Sequence, residues 1–190
     1  MNYQRINIGG YYSEGIDRTK DYRQIFNEKP EGFSILDIGC NNGFYSIKAV
    51  NEGAIYALGI DSHEPFLDIG REAVSFLNYN IKFKKMNVLE DKIPDMTFDI
   101  VLCLNLVHHF KNIKQVHYLF DELYKRCKRK MIFEVLNSEK DWEIVTNKLG
   151  NNKIHLGVSF FEKKYPDCFI EYMSSKVTEN RKIIKVTLGD

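Results

Sequence analysis

Proline and tryptophan are scarce in this 190-residue chain, with four of the first and one of the second, and neither sign of charge dominates. Its 27 lysines and arginines stand against 26 aspartates and glutamates, a formal net charge of +1. A dedicated nucleic-acid binder shows a basic excess, so this balance lowers the expectation of an RNA partner without excluding one. Cysteine is thin as well. Cys40, Cys103, Cys127 and Cys168 are widely spaced, with no C-x-x-C pair and no histidine cluster beside them, so neither a metal centre nor a disulfide framework is indicated. Cys40 and Cys103 fall in apolar stretches and read as small core residues. No hydrophobic run is long enough to cross a membrane, and the opening M-N-Y-Q-R-I-N-I lacks the apolar core of a signal peptide. A cytoplasmic setting is expected, with no membrane partner and no obligate protein partner indicated. Repeats, low-complexity tracts and linkers are missing too. With 44% hydrophobic and 28% charged residues, the composition is that of a single globular domain with one sizeable core.

What is present is concentrated between Ser34 and Phe110. Ser34 to Gly43 reads S-I-L-D-I-G-C-N-N-G, a buried-type strand that runs into a glycine turn and then into the helical pattern F-Y-S-I-K-A-V. Glycine takes positive φ at little cost and lets a ligand approach the backbone, where the next helix offers unpaired N–H groups. A dinucleotide fingerprint needs glycine at positions 39, 41 and 44, but Asn41 and Phe44 occupy the last two, which disfavours NAD and FAD. Asparagine tolerates left-handed backbone angles, so the turn survives the replacement. A second apolar strand, 54–60, ends in Asp61. A carboxylate at that tip suits a ribose, because its two oxygens can accept from both vicinal hydroxyls.

The pattern of Asp37 followed by Gly39, Asn41 and Gly43 resembles the first motif of class I S-adenosylmethionine (SAM)-dependent methyltransferases, an acid followed by G-x-G-x-G with its middle glycine replaced. The resemblance implies SAM as cofactor, held by Asp37, Gly39, Cys40, Asn41 and Gly43, by Asp61 and Ser62 at the second strand tip, and by Asn87 and Val88 after the third strand. Family members place an acid near the adenine amino group at the position of Asn87; its carbonyl, Glu90 or Asp91 can play that part. F-D-I-V-L-C-L-N-L-V-H-H-F, 98–110, reads as the fourth strand and its tip. Open α/β sheets deliver reactive side chains at strand carboxyl ends, which singles out Asn105, His108 and His109. Asn105 joins the cofactor set. Either histidine can take a proton from an attacking hydroxyl or amine, donate to an anionic substrate, or simply pack on the cofactor.

The coarse order is an N-terminal helical cap over 1–30 followed by the methyltransferase domain over 31–190. Strands are expected at 34–39, 54–60, 81–88, 98–104, 130–136, 168–174 and 181–188, with helices at 43–52, 65–78, 111–128 and 138–149. This is an α/β fold: a seven-stranded, Rossmann-like, mostly parallel sheet with helices on both faces, whose last strand is antiparallel. In the cap, Asp17 precedes a helix as its cap residue. The resemblance implies that such a segment folds over the cofactor, so that Tyr11 and Tyr12 exclude water and Arg18 or Arg23 meets the methionine carboxylate or an anionic substrate. Phe160, Phe161 and Tyr165 are expected on the opposite wall. The basic run Tyr124 to Lys130 reads as a helix end.

The first and fourth motifs look most like methyltransferases acting on sugars, terminal phosphates or RNA, and Gly53 to Ser62 is similar to wobble-uridine carboxymethyl transferases. The implied acceptor is a small molecule, sugar or phosphate group. RNA modification and non-catalytic SAM binding remain as alternatives.

Overall fold

Ile35, Leu36 and Ile38 expose none of their surface, as a short apolar run in a doubly covered strand requires. The computed structural model describes residues 4–146, 151–178 and 180–189. The chain falls into two units, Met1–Lys92 and Ile93–Asp190, and each is α/β.

In the first unit, a short hairpin of β1 (Asn7–Ile8) and β2 (Tyr11–Tyr12) and a helix α1 (Thr19–Ile25) precede β3 (Ser34–Ile38), α2 (Phe44–Asn51), β4 (Tyr56–Asp61), α3 (Glu64–Val74) and β5 (Ile81–Lys85). Strands β3, β4 and β5 pair in parallel in that order. Helix α3 starts with a proline in its first turn and buries Leu67, Gly70 and Ala73, one face at three-residue spacing. The cap expected to be helical is a strand pair plus one helix. Arg18, not Asp17, is the N-cap residue of that helix and makes no side-chain cap hydrogen bond; Asp17, one residue earlier, accepts the Thr19 N–H on Oδ1 at 2.9 Å.

A single ring organises this unit. Phe83 of β5 stands opposite Gly59 of β4, where a Cβ would lie 2.8 Å from the ring, and against Gly70 of α3, where it would lie 3.1 Å away. A Cβ on Gly43 would lie 2.3 Å from the edge of the same ring, and Gly43 also sits at φ +79°. The glycine pattern therefore serves the packing under the turn as well as the turn itself.

The second unit runs through β6 (Phe98–Leu104), a 3₁₀ turn (Val107–His109), α4 (Ile113–Tyr124), β7 (Cys127–Asn137), β8 (Trp142–Thr146), β9 (Asn152–Leu156), α5 (Val158–Lys164), β10 (Phe169–Ser174) and β11 (Arg181–Thr187). Helix α4 opens on a reciprocal cap. Asn112 Oδ1 accepts the Gln115 N–H at 3.1 Å, and Gln115 Oε1 reaches back to the Lys111 N–H at 2.8 Å. Its buried stripe is Val116, Leu119, Phe120 and Leu123. Strand β7 lies parallel to β6 and antiparallel to β11, which in turn pairs antiparallel with β10. All seven expected strands are present, and the closing pair is the antiparallel hairpin foreseen.

Two expectations are corrected. The segment expected as a helix over 138–149 contains β8, an edge strand paired with β9; residues 147–149 lie outside the described residues. W-E-I-V-T is rich in β-branched and aromatic residues, and that local preference outweighs the helical reading. Phe160, Phe161 and Tyr165 are 4%, 0% and 5% exposed, so they are core rather than wall. Phe161 packs on Phe120 and Phe133 with ring centroids 5.7 and 5.2 Å apart.

The basic run does end a helix and then enters a strand: α4 stops at Tyr124 with Lys125 as its C-cap, and Cys127 starts β7. Arg126, 5% exposed, donates to the carbonyls of Ile93 at 3.0 Å, Pro94 at 2.9 Å and Glu122 at 2.7 Å, and to Glu122 Oε2 at 2.9 Å. Its guanidinium thus bolts the entry of β6 to the exit of α4. Replacing Arg126 with methionine leaves those carbonyls buried without donors and is expected to cost roughly 2–4 kcal/mol in denaturant unfolding. Lysine at this position should recover less than half of that, lacking the planar fork. The exposed neighbour Lys128, changed to alanine, should fall within about 0.5 kcal/mol of wild type.

Candidate functional site

Each unit presents part of the expected site at the carboxyl ends of its parallel strands. In the first unit the chain leaves β3 through Gly39 at φ 71°, Asn41 at φ 55° and Gly43 at φ 79°. Asn41 does take the left-handed conformation that the missing glycine demands. The turn is tied to the next strand. Gly39 and Cys40 donate to the Ile60 carbonyl at 2.8 and 3.0 Å, and the Asn41 N–H donates to Asp61 Oδ2 at 2.9 Å. The other Asp61 oxygen accepts the His63 N–H at 2.9 Å. Asp61 is therefore a clamp on the turn, half-exposed at its rim.

Beneath the turn lies Asp37, 1% exposed, whose Oδ2 accepts the Ser46 hydroxyl at 2.8 Å. Burial pushes its carboxyl up to about 7, opposed by the Ser46 hydrogen bond and assisted by the Asp61 charge. Cys40 is fully buried and its thiol is driven well up by burial and by both aspartates, so it is inert wall rather than nucleophile. Asn42, a residue the sequence did not single out, donates from Nδ2 to the Gln4 carbonyl at 2.7 Å and so pins the N-terminal segment onto the turn. Ser62 is exposed and Val88 buried. The Asn87 side-chain Oδ1 accepts the Leu89 N–H at 3.2 Å while the Asn87 backbone N–H donates to Asp91 Oδ2 at 2.8 Å, a local turn after β5. Tyr11 lies beside Glu72, and Tyr12 is 59% exposed. Arg18 is buried, 1% exposed, and pairs with Asp21 at 3.2 Å, whereas Arg23 faces solvent.

In the second unit the chain leaves β6 through Asn105 at φ 60°, whose N–H donates to the Glu134 carbonyl of β7 at 3.0 Å. The 3₁₀ turn then stacks His108 and His109 with ring centroids 4.0 Å apart. His108 is 5% exposed; burial first, then the charges of His109, Arg181 and Lys153, push it down to about 2, so it stays neutral. Burial and Lys153 also lower His109. Lys153 Nζ is 3.3 Å from His109 Nδ1. An ammonium can only donate, so Nδ1 accepts and the ring proton sits on Nε2, making His109 a donor toward solvent rather than a base. Lys153 had no signal in the sequence, because its strand was expected as a loop after a helix.

Residues 35–130 match a family model described as a methyltransferase domain. A mitochondrial ubiquinone biosynthesis O-methyltransferase of Dictyostelium discoideum is 31% identical over 114 residues, covering 52% of this chain and 36% of its own length. Phosphoethanolamine N-methyltransferase 1 of Arabidopsis thaliana is 23% identical over 141 residues, covering 74% of this chain and 28% of its own length. The chain thus spans about a third of these curated relatives. The crystal structure of a magnesium protoporphyrin IX methyltransferase from Synechocystis PCC 6803 with bound SAM superposes at TM-score 0.67 and 14% identity, over 87% of this chain and 74% of that one.

The buried carboxyl sets a pH dependence. The raised folded value of Asp37 means that the native state holds a proton, between about pH 4 and about pH 7, that the unfolded chain has released, so stability falls as pH rises through that window. Asp37→Asn keeps an acceptor for Ser46 and removes this titration. Thermal unfolding from about pH 5 to about pH 8 should show the variant gaining on wild type with rising pH, and a constant difference would refute the assignment.

Proposed function

The chain belongs to the methyltransferase-domain family, whose methyl donor is S-adenosylmethionine, and on that premise we propose that it transfers a methyl group from SAM to a small-molecule acceptor whose reacting atom arrives already nucleophilic. The clamp between Asp61 and the Asn41 N–H carries the reading. It holds the turn open in the left-handed conformation, and a carboxylate with about four acceptor sites can take two backbone donors and still accept from a ribose.

The residues present fit the donor. Among the described residues, the buried side-chain carbonyl oxygens of Gln4, Asn41 and Asn42 accept no hydrogen bond. They belong to the turn and to the segment pinned on it, and unsatisfied acceptors of this kind suit the ammonium of an amino-acid moiety. When bound, SAM supplies an electrophilic sulfonium methyl, so the chain's own part is to bind, align and exclude water.

General-base catalysis has little support in the second unit. His108 is held neutral by burial, with a basicity too low to capture a proton near neutrality. His109 offers an Nε2 proton. An amine, a phenolate or an acid oxygen needs no such base, whereas an unactivated sugar hydroxyl does. Asn105, His108 and His109 are assigned to orienting the acceptor, and Tyr11 and Tyr12 to covering the cofactor. Arg18, spent on Asp21 in the core, is reassigned to holding the N-terminal segment. The alternatives remain an RNA acceptor and non-catalytic binding of SAM.

Calorimetric titration with SAM and with S-adenosylhomocysteine tests the donor site. Asp61→Ala should weaken both by about 10–100-fold, the worth of a hydrogen-bonded charge. Unchanged binding in that variant would refute the reading. A methyl-transfer screen over extract fractions, treated or untreated with ribonuclease, then tests the acceptor. Separate His108→Ala and His109→Ala variants should keep turnover within about tenfold at saturating donor, because general acid–base chemistry would cost about 100-fold or more.

A further inference from the structure

At the carboxyl end of β7 the sheet changes neighbours, and this builds a cationic surface that the sequence did not reveal. Strand β6 pairs with β7 only as far as Glu134, and β9 then pairs with Leu136 and Asn137. On the other side β11 runs antiparallel, with Arg181 opposite Leu136. Leu136 therefore has His155 on one flank and Arg181 on the other, and partners in register share a face of the sheet. Two residues before His155, on that same face, is Lys153, whose Nζ reaches His109 Nδ1 at 3.3 Å. His155 is fixed by a contact of 2.9 Å between its Nδ1 and the Asn137 carbonyl.

Arg181 also lines a cavity of about 400 Å³ under the β10–β11 turn, together with Asn137, Ser174, Ser175, Thr178, Asn180 and Lys182. The lining holds two cations, two carboxamides and three hydroxyls, and among the described residues no carboxylate; Glu179 lies outside them. The turn is shaped from within. The Ser175 hydroxyl accepts the Thr178 N–H at 3.0 Å, the Asn180 carbonyl accepts the Asn137 N–H at 3.0 Å, and Asn180 sits at φ 57°.

Glu134, 2% exposed, lies 4.0 Å from Arg181 Nε and is one partner of that guanidinium. Among the described residues no carboxylate lies within ion-pair distance of Lys153 or of Lys182, whose ammonium instead stands 5.2 Å over the Tyr172 ring. Arg181 and Lys153 both push the two histidines down, so their positive charge is felt at this strand end.

We propose that this surface, Arg181, Lys182 and Asn180 in the cavity with Lys153 and the Nε2 proton of His109 beside it, binds the phosphate group of a small phosphorylated methyl acceptor. The inference rests on the methyl-transfer reading and narrows its substrate class. A planar guanidinium and two ammonium groups match a dianionic phosphate better than a neutral quinol or sugar. The cations are gathered at one strand end in a chain of formal net charge +1, which suits a single phosphoryl group rather than the continuous backbone of an RNA.

The full chain is titrated with inorganic phosphate and phenyl phosphate, and in parallel with phenol and a short oligouridine, at constant ionic strength. Calorimetry and the amide chemical shifts of Asn180, Arg181 and Lys182 give the readout. Phenyl phosphate should bind at least about tenfold more tightly than phenol and shift those amides. Lys153→Met and Lys182→Met, at sites outside the core, should each weaken phosphate binding by about tenfold while affinity for S-adenosylhomocysteine stays within about twofold. Arg181→Lys should weaken it too, by loss of the fork. Equal phosphate affinity in wild type and both lysine variants, or no phosphate binding at all, overturns the proposal. Oligouridine binding with a steep salt slope, equivalent to about three phosphates or more, would assign the surface to RNA and overturn it as well. Failure of wild type to bind S-adenosylhomocysteine would strike the methyl-donor reading instead, since the phosphate titration is read without it.

Discussion

A carboxylate that holds two backbone amides at once is the constraint on which the first unit depends. Asp61 takes the Asn41 N–H on one oxygen and the His63 N–H on the other, joining the turn after β3 to the start of α3. Without it the left-handed asparagine would have its amide unsatisfied at the rim of a site from which water must be excluded. The same side chain stands where a ribose carboxylate is expected, so one residue supports both the shape of the turn and the chemistry assigned to it.

Packing underneath explains why the turn cannot vary freely. Phe83 presses against Gly43, Gly59 and Gly70 from three different elements, so a methyl group at any of them displaces the ring. Glycine at position 43 answers two demands, a positive φ and the space that Phe83 fills. Asp37 shares this region and gives up its charge readily, because burial outweighs the hydrogen bonds that Ser46 offers it. The second unit follows the reverse electrostatic logic. There the carboxyl end of β7 gathers Lys153 and Arg181 near the neutral His108 and His109, with the buried Glu134 4.0 Å from Arg181.

The architecture was legible from Ser34 to Phe110 because doubly covered strands write themselves as unbroken apolar runs and because turns with positive φ restrict the residue to glycine or asparagine. The closing hairpin was legible for a similar reason, two β-rich runs joined by a polar link. Legibility failed beyond Ser138. There an edge strand, Trp142–Thr146, breaks polar–apolar alternation with Ile144 and Val145 side by side and is too short to tell strand from helix. Misplacing that strand concealed β9, and with it the lysine that decides the tautomer of His109.

The sequence by itself determined the α/β class, the glycine turn and the acid at the end of the second strand, since these rest on local backbone angles and on burial periodicity. Only the tertiary structure decided how the charged side chains are used. Arg18, expected at the cofactor or substrate, and Arg126, part of the basic run, are buried against Asp21 and against backbone carbonyls, whereas Lys153 and Arg181, neither of them prominent in the sequence, come to share a sheet face with His155. A side chain's charge is local information, but its partners come from strands distant in sequence, and pairing register alone brings them together.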